Sequence, residues 1–255
     1  MKQLILLLLL TVSFAQAQDI HGKIEYNETT QFKMNFGGAI DEAIISKLPT
    51  SNSHSYELIF NKNKSLYRTS NNPEKQDSPK GMFTTDEGAQ IEIKTKRTED
   101  VTFYNIDKKE LIQKIDFMDR VFLIKDDLKS MKWKIETDAK TVLGYNVQKA
   151  TYTEDSTTYE AWFTTQIPTS IGPSRFVGLP GAILELNVNE GERTYVATKV
   201  DLQIDEANDI ESPGKGKKVT REEYNKIREE KMKEMAEEFG AGHGSGGVKV
   251  FIQKN

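Results

Sequence analysis

Apolar and polar residues alternate with a period of two over most of the chain, the spacing of strands that bury one face. His21–Asn27 reads as the first strand, with Ile24 and Tyr26 on one face. Tyr56–Phe60 alternates around Glu57 and Ile59, and Asn61-Lys62-Asn63-Lys64 then turns into Ser65–Arg68, a hairpin signal. Val101–Ile106, Glu110–Met118 and Arg120–Ile124 follow, joined by Asp107-Lys108 and Asp119, turn residues with little length to spare. Trp133-Lys134-Ile135, Tyr145–Tyr152 and Thr158–Thr164 extend the series, the last two joined by Glu154-Asp155-Ser156. Gly37–Leu48, apolar at Ala39, Ile40, Ala43, Ile44 and Ile45, fits a short helix stopped by Pro49 or a strand. Ser70–Gly81, with two prolines among Asn, Ser, Asp and Lys, reads as an exposed loop. A sheet with one apolar face must cover it by closing, by a second sheet or by a helix. The predicted fold class is mainly β: an antiparallel meander forming a curved sheet or partly open barrel, with one C-terminal amphipathic helix packed on it.

That helix has explicit start and stop signals. Residues 205–219 are polar and carry Ser-Pro-Gly-Lys-Gly-Lys-Lys, a solvated linker. Thr220 and Glu223 then form a T-x-x-E capping box, and Arg221–Phe239 runs without Gly or Pro. Tyr224, Ile227, Met232, Met235 and Phe239 make a narrow apolar stripe, and Gly240 supplies the stop. Lys and Glu mix on the polar face, which favours packing on the sheet over a membrane surface. Gly240–Gly247 reads as a tether and Val248–Ile252 as a final edge strand.

The chain start carries an address. Met1-Lys2-Gln3 is a positive n-region, Leu4–Phe14 an apolar run, and Ala15-Gln16-Ala17 a small-x-small cleavage pattern. The apolar run is shorter than the roughly 20 residues a membrane span needs. The expected organisation is a signal peptide at 1–17, a β-domain at 18–204, a linker at 205–219, the helix at 220–239 and a tail at 240–255. Export to the periplasm, the outer membrane or the exterior follows. The net charge of −4 lacks the basic footprint of nucleic-acid binding. With no cysteine, disulfides, thiolate metal sites, cysteine nucleophiles and lipid attachment at an N-terminal cysteine are excluded.

Trp162–Leu186 is the most distinctive stretch. Ile167-Pro168 and Gly172-Pro173 force extended or turn geometry on the residue before each proline. Leu179-Pro180-Gly181-Ala182 fits a type II turn, with proline fixing φ and Gly181 supplying φ > 0. Leu184, Leu186 and Val188 then share one face of a new strand. The hallmark Gly178-Leu179-Pro180-Gly181-Ala182-Ile183, flanked by Trp133-Lys134-Ile135, Gly144-Tyr145, Ala161-Trp162-Phe163, Ile167-Pro168 and Gly172-Pro173, resembles the signature of the GLPGLI family. Ala182 stands where that pattern has leucine, and Val147 where many relatives carry cysteine. The resemblance implies an exported protein of Bacteroidota-type Gram-negative bacteria, often encoded near outer-membrane receptor systems. It brings no catalytic residues.

No motif supplies chemistry. His21, His54 and His243 lack metal-ligand spacing. Cleavage after Ala17 leaves His21 fourth in the mature chain, one residue beyond an amino-terminal Cu(II) or Ni(II) site. There is no G-x-S-x-G elbow, and Ser174 has no base nearby in sequence. Trp133, Tyr145, Trp162 and Phe176 form an aromatic concentration, by default core and otherwise ligand-facing. The expectation is a non-catalytic envelope protein without a cofactor, a binding or carrier module for an apolar ligand. The alternatives are an interaction subunit of an outer-membrane receptor, or a metal-handling protein using His21 and His243.

Overall fold

In the computed structural model, which describes residues 20–31, 50–70, 81–84, 90–94, 100–127, 131–240 and 249–251, twelve strands form one open sheet. The first strands are β1 (Gly22–Gln31), β2 (Ser51–Phe60), β3 (Lys64–Thr69), β4 (Gly81–Thr84), β5 (Gln90–Lys94) and β6 (Val101–Asn105). After them come β7 (Glu110–Phe117), β8 (Arg120–Asp127), β9 (Lys134–Val142), β10 (Tyr145–Glu154) and β11 (Thr157–Thr164). The last are β12 (Ala182–Val188), β13 (Arg193–Leu202), β14 (Lys217–Val219) and, beyond the helix α1 (Arg221–Gly240), β15 (Lys249–Phe251). The large sheet has the order β14-β8-β7-β6-β3-β2-β1-β13-β12-β11-β10-β9, and β15-β5-β4 form a small second sheet. The Gly37–Leu48 ambiguity, the signal peptide and His243 fall outside the described residues.

Two meanders therefore meet at a seam where β1 pairs antiparallel with β13, Gly22 opposite Leu202 and Thr30 opposite Arg193. Tight turns hold each meander. Met118 and Asp119, both at positive φ (50° and 60°), join Phe117 to Arg120 in the two-residue hairpin geometry that matches strand twist. Register shifts in β1, β10 and β11 bend the strands and help curve the sheet.

The main core fills the concave face, with Ile24, Leu58, Phe60, Phe163 and Leu186 essentially buried. Residues 165–181, the corner between β11 and β12, sit inside it. Ile167, Ile171 and Leu179 point inward, and Ile171 bridges Val177 in a miniature hairpin tipped by Pro173-Ser174-Arg175. Its irregular backbone is satisfied from outside. The Tyr26 hydroxyl donates to the Ile183 carbonyl (2.6 Å), Tyr104 to that of Arg175 (2.8 Å) and Trp133 Nε1 to that of Val177 (2.8 Å). The type II turn expected here is corrected: Gly181 does not carry the positive φ, which falls at Gly178 (φ 96°). Gly181 is required for another reason. A Cβ there would lie 2.0 Å from the Thr164 carbonyl oxygen, so the two chain segments pass too closely for any side chain.

The 205–219 segment is more ordered than its polarity suggests. A short 3₁₀-helix at Asp205–Asn208 buries Ala207, and with Ile210 it covers Ile59 and Phe103 on the opposite, convex face. Lys217–Val219 then adds β14 parallel to β8. α1 starts in the capping box read from sequence: Glu223 N donates to Thr220 Oγ1 (3.1 Å) and Thr220 N to Glu223 Oε2 (2.9 Å). Tyr224 lies edge-on to Phe117 and Phe122, and Ile227 packs beside it, whereas Met232 is 47% exposed. Among the described side chains of α1, the apolar contact is made by Tyr224 and Ile227 in the first two turns, and Met235 and Phe239 of the expected stripe fall outside them. Thr220→Ala should cost about 1 kcal/mol, read as a lower urea midpoint, with Thr220→Ser restoring most of it.

Candidate functional site

A cavity of about 390 Å³ opens where the tip of the corner, the concave face and the start of α1 come together. Its floor follows from strand alternation. Ile24, Tyr26 and Glu28 share one face of β1, as do Arg193, Tyr195 and Ala197 of β13, and Glu28 pairs with Tyr195 across the seam. The alternation that buries Ile24 and Tyr26 therefore carries a carboxylate inward at Glu28, which is 3% exposed.

Glu28 accepts a hydrogen bond from the Tyr67 hydroxyl (3.3 Å) and lies 3.8 Å from Arg193 Nε. Tyr67 stacks on Tyr56 with centroids 5.0 Å apart. Tyr195 is hydrogen-bonded to Arg193 and Ser174, which joins the corner tip to the floor. Burial works against the Arg193 charge, but Tyr195 and Glu28 more than offset it, so its pKa lies above the usual guanidinium value. Burial pushes the Tyr26, Tyr56, Tyr67, Tyr104 and Tyr195 phenols up, with the Glu28 charge adding to the effect at Tyr56, Tyr67 and Tyr195. These hydroxyls are therefore donors, not bases, at neutral pH.

The remaining walls are cationic and aromatic. Arg175 on the tip has Nη2 3.3 Å from the Tyr159 hydroxyl and its guanidinium 6.0 Å from the Phe176 ring. From α1, Arg221 donates twice to Asp126 (3.2 and 2.9 Å) and once to Gln113, and Arg228 and Asn225 complete that side.

The phenol shifts carry a pH signature. A phenol that titrates higher folded than unfolded contributes stability fully present below the unfolded value near 10 and lost as pH rises above it. Alkaline titration should show phenolate absorbance lagging behind free tyrosine and then rising together with loss of the circular dichroism signal. Ionisation of all nine tyrosines near 10 in a still-folded protein would contradict the burial described.

Of the aromatics singled out from sequence, Phe176 lines the cavity. Trp133 packs on Tyr152 and caps the corner, and Tyr145 packs against the main core. Trp162 faces the other side of the sheet, where Lys140 Nζ sits 4.3 Å above its ring, Lys140 pairs with Glu185, and Lys149 pairs with Glu160 at 2.7 Å. Lysine stems thus cover the indole on the face opposite Tyr159, Ala161 and Phe163. Gly178, Leu179, Pro180, Gly181, Ala182 and Ile183 build the corner and leave the cavity contacts to the tip. His21 and His54 lie at the start of β1 and on β2, and no group of three or more metal-ligating side chains occurs among the described residues. Glu28, Tyr56, Tyr67, Arg193 and Tyr195 were missed in the sequence. The available signal was a polar group in phase with buried ones, as in Ile24-x-Tyr26-x-Glu28.

Residues 152–185, which span the corner, match a family model described as "Protein of unknown function (Porph_ging)". No curated protein matches the chain. Two solved structures are similar, "Structure of PNGF-II in P21 space group" and "Structure of PNGF-II in C2 space group", at 19% and 18% identity and TM-scores of 0.52 and 0.51. Each covers 82% of this chain, but the chain spans only about a third of their length (33% and 32%). At this identity what the two proteins share is the fold.

Proposed function

We propose that the protein is an exported, non-catalytic binding module of the bacterial cell envelope, with the cavity beneath the corner tip as its binding site. The observation that carries this reading is the cavity's construction: rigid strands and a core-anchored loop hold tyrosine donors, Glu28 and Arg193 around a space of ligand size. The leader and the GLPGLI resemblance support the envelope as its place of work. Mature protein starting at Gln18 in an envelope fraction would agree with that, and retention of residues 1–17 would count against it.

The ligand differs from the apolar one expected from the sequence, because the corner occupies the apolar part of the concave face and leaves a space with charged walls. The binding reading is tested by purifying the protein from native envelopes and analysing both organic and aqueous extracts by mass spectrometry. A compound that reproducibly accompanies the native protein, and is lost when Ser174→Trp fills the cavity mouth, is the expected result. Extracts identical for the two proteins would refute the reading.

A further inference from the structure

The cavity's charge is opposite in sign to that of the chain around it. The protein has 35 basic and 39 acidic residues, yet Lys114, Arg175, Arg193, Arg221 and Arg228 face the cavity against Glu28 and Asp100. A local cationic surplus in a low-dielectric recess raises the local concentration of anions. The cations are also divided in depth. Arg193 is engaged at the floor by Glu28, while Arg221 is held at the side by Asp126. Arg175 stands on the tip, its side chain 49% exposed and its nearest carboxylate, Glu154, at 3.9 Å. Its backbone is held in place: Tyr104 donates to its carbonyl, Gly172 N donates to the Phe176 carbonyl and Ile171 bridges Val177 beneath it. A guanidinium on a fixed backbone, over an aromatic ring and beside a phenol, is a preorganised fork for a carboxylate or phosphate. Tyr159 and Phe176 beside it, with centroids 5.4 Å apart and both largely buried, bring apolar ring atoms to the lining of the same space.

We infer that the cavity takes a small ligand combining an anionic group, carboxylate or phosphate, with a planar apolar body. Arg175 reads the anion, Arg228 supports it from α1, and the Tyr159 and Phe176 rings pack the body. This inference rests on the binding role proposed above and names the ligand class.

Calorimetry and saturation-transfer NMR with phenyl phosphate, benzoate, inorganic phosphate, benzyl alcohol and benzylamine test it. Phenyl phosphate or benzoate should bind saturably and at least about tenfold tighter than benzyl alcohol, since a charge-assisted bidentate contact is roughly twice as strong as a neutral one. Phenyl phosphate should exceed inorganic phosphate, and its ratio to benzoate decides between the two anions. Arg175→Gln, with an unchanged urea midpoint, should weaken the anionic probes about fivefold or more and leave benzyl alcohol unaffected. Arg228→Gln should act in the same direction but less. Benzyl alcohol or benzylamine binding as well as the anions, or no response to Arg175→Gln, overturns the ligand class while leaving a binding cavity in place. Absence of saturable binding by every probe overturns the inference as well, and the native extraction then decides the broader reading alone.

Discussion

Gly181→Ala is expected to cost about 3 kcal/mol or more, a large share of the stability of a typical domain. The added methyl would lie 2.0 Å from the Thr164 carbonyl oxygen, 2.5 Å from its carbon and 2.8 Å from the Thr165 nitrogen. All three are backbone atoms at the end of β11, so no side chain can rotate away and the strand itself must move. Moving it strains the Ala182-to-Ile167 hydrogen bond (3.0 Å) that closes the corner. Gly144→Ala is the control. Gly144 also resists substitution, but only through its positive φ of 82°, and nothing lies within 4 Å of the new methyl. Its cost should stay near 1–2 kcal/mol. Urea unfolding of both variants separates steric exclusion from conformational preference; equal losses would mean that the close passage is not a constraint.

The second large effect is expected at Leu179. Its side chain is 1% exposed in the main core, and Leu179→Ala should cost about 3 kcal/mol through lost burial and the void left behind. The surrounding groups cannot collapse into the void easily, because Tyr104 and Trp133 fix the Arg175 and Val177 carbonyls of the corner and Tyr26 fixes that of Ile183 just beyond it. Ile135→Ala, at a side chain of an edge strand that is 47% exposed, should change stability by no more than about 0.5 kcal/mol. If the two substitutions cost the same, the corner is a surface appendage rather than part of the core.

Much of this fold can be read from alternation alone, and where reading failed the cause is physical. β6, β7 and β8 emerge within a few residues of their sequence bounds because tight turns leave little freedom in where each strand starts. The α1 start is legible because a capping box is a local device. β13 is obscured because its outward residues include Val196, 40% exposed, while inward Ala197 gives little contrast. β14 and the 3₁₀-helix at 205–208 were hidden by polar composition, since among the described residues there only Ala207 and Ile210 are buried, and the surface that selects these two lies on β2 and β6. The cavity was the least legible part. Its floor unites residues 28 and 193, whose proximity exists only through the pairing of β1 with β13.

That seam sets the order in which the molecule can be built. β1 pairs along one edge with β2, which begins 20 positions after β1 ends, but its other edge must wait for a strand about 170 positions later in the chain. Until then the earlier meander presents an unpaired strand bearing Ile24 and Tyr26, the kind of edge that recruits the wrong partner. Formation of the seam is thus a late, long-range closure that slows folding. A chain delivered start-first, as synthesis delivers it, leaves that edge uncovered for the whole interval before β13 arrives.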